Sequence, residues 1–259
     1  MAETERSLSE TDCWSKVSSR VKVGTSGFGL AKKTYAEMFS CVEVQQTFYQ
    51  PPQIKTLERW REEVPSDFEF TLKAWQLITH DARSPTYRRL KRALSETEKQ
   101  EAGYFRPTPI VSEAWQTTLA SAKALEAKTV LFQCPSSFRQ TEANIANLEI
   151  FFSSIDRSNN LRLCWEPRGE WQASVVRSIC TKLGLCHVVD PFLTKTETPN
   201  TYYFRLHGKN GWRYEYDAHE LAELATELLK LGEGYVFFNN SKMTDDAMKF
   251  CHILSNSEL

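Results

Sequence analysis

The chain has 259 residues, 41% of them hydrophobic and 25% charged, a globular composition with enough length for one large domain. Its formal net charge of −1 supplies no global field for nucleic acid or a membrane surface, and no run approaches the ~20 apolar residues of a membrane span. Seven cysteines with no Cys-x-x-Cys pairing predict a reducing, cytoplasmic setting without structural disulfides or a paired zinc motif.

Residues 1–19 are polar, rich in Ser, Thr and Glu, and lack the apolar core of a secretory signal, so they are expected to be a flexible N-terminal tail. Residues 20–259 are expected to form one domain. Val21 to Gly24 reads as a first strand, closed by the turn-forming Thr25-Ser26-Gly27, and Lys33 to Phe39 as a short helix. Cys41 to Val44 is a second strand, expected to run on through Gln45 to Tyr49 and stop at Pro51-Pro52. Thr56 to Glu63 carries Leu57, Trp60 and Val64 at helical spacing, and Phe68 to Lys73 alternates as a third strand. The longest connection, about 75 to 110, holds one short predicted helix near Tyr87 to Leu94. Beyond it, helices are predicted at 111–127, 142–152, 174–183, 219–231 and 244–254. Strands are predicted at 129–133, 161–165, 186–190, 201–207 and 234–238.

Eight strands alternating with helices imply a parallel sheet with right-handed crossovers, and eight units in this length match a single-domain α/β fold, the TIM (β/α)8 barrel. The rival, an open doubly wound sheet, is disfavoured. Gly24-Thr25-Ser26-Gly27-Phe28-Gly29 has the wrong glycine spacing for a dinucleotide loop. Strand phase then places side chains, because successive residues face opposite sides. In the third strand Phe68, Phe70 and Leu72 oppose Glu69, Thr71 and Lys73; in the seventh Tyr202, Phe204 and Leu206 oppose Tyr203, Arg205 and His207. With the apolar faces against helices, Glu43, Lys73, Glu166, Arg205 and His207 are expected inside the barrel, toward the C-terminal mouth where barrel enzymes build their sites. Gln133, Asp190, Asn239 and Asn240 end strands at that height. The expected ion pairs are Glu43 with Lys73 and Glu166 with Arg205.

The chain also resembles the YecE-like family, the domain of unknown function numbered 72, in its shorter archaeal-type members. The resemblance rests on Gly24-Thr25-Ser26-Gly27, Val42 to Tyr49, Phe70 to Lys73 with Ile78-Thr79-His80, and Tyr104 to Thr108. It continues through Leu131 to Phe138, Trp165-Glu166-Pro167-Arg168, Arg205-Leu206-His207-Gly208 and Phe237 to Asn240. It implies a TIM barrel similar to those of endonuclease-IV-type and sugar-isomerase-type enzymes, and no settled activity. The sequence departs from the family at Gln45, where Asn is frequent, and at Phe28, where Trp is frequent.

Two readings of the chemistry follow. In the first, the chain is an enzyme, a hydrolase or lyase acting on a phosphate-containing or nucleic-acid substrate. Glu43, Lys73, Glu166, Arg205 and His207 are its catalytic candidates, with Arg205 and Lys73 holding an anion, a glutamate as base and His207 or His80 as acid. Gln45, Tyr49, His80, Gln133, Arg168, Asp190, Tyr214, Asn239 and Asn240 are candidates for substrate binding, and Tyr49, Trp75, Trp171, Trp212 and Tyr214 for stacking. No cofactor is certain. Glu43, His80, Glu166, Asp190 and His207 are the donors from which a site for a single divalent metal ion would be drawn. In the second reading, the chain binds nucleic acid or another anionic ligand without catalysis, using the basic run Arg83, Arg88, Arg89, Lys91 and Arg92. No Walker loop or Gly-x-Ser-x-Gly elbow is present.

Overall fold

The computed structural model describes residues 20–157 and 160–256, so the expected tail at 1–19 and its Cys13 lie outside the described residues. The strands are β1 (Val21–Thr25), β2 (Cys41–Val44), β3 (Glu69–Lys73), β4 (Thr129–Gln133), β5 (Arg162–Glu166), β6 (Cys186–Val189), β7 (Thr201–Leu206) and β8 (Glu233–Phe238). All pair in parallel, in the order β1-β8-β7-β6-β5-β4-β3-β2. Outside them lie the helices. Before β4 these are α1 (Lys32–Met38), α2 (Gln46–Tyr49), α3 (Ile54–Glu62), α4 (Gln76–Thr79), α5 (Glu96–Glu101) and α6 (Pro109–Ala124). After it come α7 (Glu142–Ser154), α8 (Ala173–Leu183), α9 (Ala218–Leu228) and α10 (Met243–Asn256). This is the TIM barrel that the alternation predicts.

The backbone ladder ends at β1 and β2, and side chains close the seam. The Tyr35 hydroxyl accepts from the Thr25 N–H at 2.8 Å and donates to the Cys41 carbonyl at 3.1 Å, one group bridging both strands. The approach is close: a Cβ on Gly24 would stand 2.3 Å from the Cys41 carbonyl oxygen, so this position admits only hydrogen.

Two apolar cores follow from the strand phase. The outer one lies between sheet and helices. In α8, for example, Val176, Ile179, Cys180 and Leu183 recur at helical spacing and are all buried. The inner one fills the lumen with Cys41, Leu131, Cys164, Cys186, Val188, Tyr203, Tyr235 and Phe237. Charge lies on both sides of this plug. At the N-terminal end Lys22 pairs with Glu69, and Arg162 with Glu233 at 2.5 Å; the C-terminal end carries the larger cluster described below. The six described cysteines are buried, and none of them is in a disulfide bond. Among the described residues no helix is long and apolar enough to cross a membrane.

Three elements differ from expectation. β2 stops at Val44, and residues 46–49 form the helical turn α2 instead of more strand. Thr47 Oγ1 donates to the Lys73 carbonyl at 2.7 Å and Phe48 is buried, so tertiary anchoring overrides the β-branched and aromatic strand preference. The predicted helix near Tyr87 to Leu94 is a 3-10 turn at Pro85–Arg89. The longer helix of this connection is α5, opened by a capping box between Ser95 and Glu98.

Candidate functional site

At the C-terminal mouth the inward residues of β2, β5 and β7 meet around one guanidinium. Arg205 is 1% exposed. Its Nε reaches Glu43 Oε2 at 3.0 Å and its Nη2 reaches Glu43 Oε1 at 2.9 Å, a two-pronged clamp. Its Nη1 donates to Glu166 Oε2 at 2.8 Å and to Gln133 Oε1 at 3.2 Å. One arginine therefore takes both carboxylates. The Glu166–Arg205 pair is as expected; the expected Glu43–Lys73 pair is not formed, because five fixed guanidinium donors reach two acceptors that a single ammonium does not.

Glu43 is completely buried and saturated. It also accepts from the Tyr203 hydroxyl at 2.6 Å, from Ser26 Oγ at 2.8 Å and from the Gln45 amide. Burial pushes its carboxyl up, but the Arg205 charge and these hydrogen bonds outweigh burial and hold it below the usual range. Glu166 behaves alike: against the upward push of burial, Arg205 and Arg168 bring it down to about 2. Arg205 itself is held above its ordinary value, since the two carboxylates overcome the lowering effect of burial.

Lys73 is the contrasting case. It ends β3 pointing inward and is 5% exposed. Among the described residues no carboxylate comes within 4.0 Å of its Nζ. Its near neighbour is the Phe48 ring, whose centroid lies 3.7 Å away. Burial and then the Arg205 charge lower the amine to about 7, against the weaker opposing pull of Glu166 and Glu43. Beside it His80 is buried, its ring meeting the same Phe48 edge-on at 4.9 Å, with Nδ1 held by Thr79 Oγ1 at 2.8 Å. Burial, Lys73 and Arg168 lower His80 to about 3, so its imidazole is neutral.

The rim is more open. Arg168, 38% exposed, donates through Nε to Glu166 at 2.6 Å and through Nη2 to His207 Nε2. Arg205 Nη1 also points at His207 Nε2, at 3.2 Å. Two guanidinium donors on Nε2 place the ring proton on Nδ1, toward Asp190 Oδ2 at 3.7 Å. Asp190 Oδ2 in turn accepts from the His207 N–H at 2.9 Å. Gly208 then turns the chain at φ +89°, its N–H donating to the Tyr216 hydroxyl.

Glu43, Gln45, Lys73, His80, Gln133, Glu166, Arg168, Asp190, Arg205 and His207 are thus brought together. Tyr49 stands at the rim, its ring edge-on to Phe48 and under the Arg89 guanidinium at 4.0 Å. Asn239 follows the end of β8 and is half-buried. Asn240 and Tyr214 belong elsewhere. Adjacent strand-end residues face opposite ways, and Asn240 donates outward to Asp246 of α10 at 2.6 Å and to the Tyr214 carbonyl. Tyr214 packs on Tyr216 and donates to Glu220. Trp75 is core, and Trp171 packs on Trp165 and Phe138 while donating to the Phe138 carbonyl, so neither is a stacking platform; Trp212 is 61% exposed. The basic run is partly neutralised, Arg83 by Asp81 and Arg92 by Glu98 and Glu113. Sequence reasoning missed Ser26, Phe48 and the bond from Tyr203; Ser26 continues the inward phase of Lys22 and Gly24, which was the available signal.

The proposed metal donors do not form a ligand set. Among the described residues no three His, Cys, Asp or Glu side chains are placed to hold an ion, and the space between Glu43 and Glu166 is filled by Arg205.

The model of a family described as "Protein of unknown function DUF72" matches residues 29–257. Solved structures align over nearly the whole chain. A DUF72 family protein from Enterococcus faecalis gives a TM-score of 0.71 at 20% identity, covering 92% of this chain and 97% of its own. One from Thermotoga maritima gives 0.66 at 22%, covering 91% and 99%. An AP endonuclease, family 2, from Brucella melitensis gives 0.53 at 10%, covering 88% and 96%. No curated protein matches.

Proposed function

The chain belongs to the DUF72 family, a membership that settles the barrel and leaves the chemistry to the site, and we propose that this site cleaves a phosphate-containing substrate as a lyase or hydrolase. The observation that carries the reading is the distribution of cations at the mouth. Arg205 is consumed by Glu43 and Glu166, but Lys73 has no carboxylate of its own, and Arg168 keeps Nη1 free of a protein acceptor among the described residues. Two donors of like charge beside a barrel mouth offer an anion what the protein's own acids do not. Arg168, more exposed than Lys73, makes the first contact, and Lys73 stands deeper where water is scarce. His207, held by Asp190 and two arginines, stands beside Arg168 at the rim.

The test is titration calorimetry with inorganic phosphate and a panel of phosphate monoesters. At least one is expected to bind, and Arg168→Gln to weaken it by about tenfold or more, the factor of one lost charge-assisted hydrogen bond. No phosphate compound binding, or binding indifferent to Arg168→Gln, overturns the reading.

A second reading, nucleic-acid binding without cleavage, is favoured by the exposed Arg88 and Lys91, which have no ion-pair partner among the described residues, and by exposed Trp212. Binding through the phosphate backbone would weaken steeply across a salt series, and Arg88→Ala with Lys91→Ala would flatten that slope.

A further inference from the structure

We propose that Lys73 is a nucleophilic amine that forms an imine with the carbonyl carbon of a phosphate-bearing aldehyde or ketone, and that cleavage runs through this imine. The inference rests on the phosphate reading above and names its substrate class.

A buried ammonium is costly unless paired, and here the pairing has gone to its neighbour. Glu43 and Glu166 are both bound by Arg205, and Lys73 Nζ faces the Phe48 ring instead. A methionine would fill the same space at lower cost, so stability does not explain a lysine there. Every charged group around the amine is placed for the other task. The cations Arg205 of β7 and Arg168 after β5 disfavour a second positive charge, which keeps a fraction of the amine unprotonated near neutral pH. Glu43 of β2 and Glu166 of β5 lie within electrostatic reach and favour a cation once it is covalently formed. His80, after α4, is neutral and shares the Phe48 ring with Lys73; its Nε2 has no protein partner among the described residues. Tyr203 and Gln133 complete the wall through Glu43 and Arg205. Other nucleophiles are absent from this position: the described cysteines are buried in the cores, and Ser26 donates its proton to Glu43.

The step balances without an added redox partner. The Nζ lone pair forms the C–N bond while the carbonyl π pair moves to oxygen. Protonation and loss of water give the iminium. The bond from the α carbon to a hydroxyl-bearing β carbon then breaks: its electron pair enters the C=N system as an enamine, the β carbon leaves as the first carbonyl product, and His80 Nε2 takes the proton of that hydroxyl. Reprotonation at carbon and addition of water return the second carbonyl product and free Lys73. Arg168 holds the phosphate throughout.

Reductive trapping tests this. The full chain is incubated with cyanoborohydride and either glyceraldehyde 3-phosphate, glyceraldehyde, or a duplex carrying one abasic site, and the adduct is located by peptide mass mapping. The expected result is one adduct per chain on Lys73, absent from Lys73→Met. It should form at least about tenfold faster with the phosphorylated aldehyde than with glyceraldehyde, an advantage lost in Arg168→Gln. A faster adduct with the triose phosphate marks a small metabolite as substrate, and a faster one with the duplex marks nucleic acid; both support the imine. Adducts scattered over surface lysines and unchanged in Lys73→Met overturn it. Phosphate binding without an adduct overturns this inference and leaves the phosphate site standing, whereas equal rates with and without phosphate overturn the phosphate site.

Discussion

Arg205 and Lys73 are both buried basic groups, one paired with two carboxylates and the other facing a ring, and substitution should move stability in opposite directions. Arg205→Met strands two buried carboxylates, so urea unfolding is expected to show a loss of about 3–5 kcal/mol; Arg205→Lys should recover little of it, because an ammonium does not reproduce the two-pronged clamp. Lys73→Met removes an amine lowered to about 7 by burial. Between that value and the ordinary lysine range the unfolded chain binds a proton that the folded one releases, so the penalty is complete below pH 7 and shrinks as pH rises toward 10.5. The variant is therefore expected to gain roughly 3–5 kcal/mol at pH 6, at about 1.4 kcal/mol for each unit of displacement, and to lose that advantage in alkali. A loss of stability at pH 6 would refute it. The period-two pattern of each strand made the inward set legible at Glu43, Lys73, Glu166, Arg205 and His207. It did not say which acid meets which base, since phase fixes a face and leaves side-chain reach open. Asn239 and Asn240 show the same limit from the other side, as two neighbours on a strand end do not share a face.

At the scale of elements, the seam between β1 and β2 depends on Tyr35, which α1 carries into it. Tyr35→Phe would leave the Thr25 N–H and Cys41 carbonyl without their bridge, at a cost of about 1–3 kcal/mol for buried groups left unmade. Faster amide exchange at Thr25 and nearby is expected, and unchanged exchange would mean that the seam is held by other contacts. The strands themselves were readable because alternation and apolar runs persist in them. The mouth was harder to read. Val42 to Tyr49 looks like one long strand, yet the bond from Thr47 to the Lys73 carbonyl and the burial of Phe48 wind its second half into a turn. That turn carries Phe48 over the Lys73 amine, so the misread segment is also the one that shapes the site. In the long connection, α4 is a helix too short to show a periodicity.

For the molecule as a whole, pH should act mainly through buried groups. Burial lowers His80 to about 3 and His187 to about 4, and Arg205 with Arg168 brings Glu166 to about 2 against burial. Each is less protonated in the folded chain than in the unfolded one. Their contributions are complete above about pH 6.5 for the histidines and about 4.3 for the glutamate, and are lost as pH falls through the folded values. A melting profile should decline steadily below pH 6.5 and steepen below about 4, and a flat profile down to pH 3 would contradict the buried neutral imidazoles. The barrel was visible in the sequence because its βα unit repeats eight times, whereas the charge layers above and below the lumen plug needed the closed sheet to bring distant strands to one height. The order of that closure has a temporal consequence. Ribosomes deliver strands in sequence, and β3 to β8 can each add to the strand made just before. β1 cannot, because its ladder partner is β8, the last strand delivered. The first strand made is the last to be paired, and a nascent chain arrested before residue 233 should offer β1 to a protease that the completed chain resists.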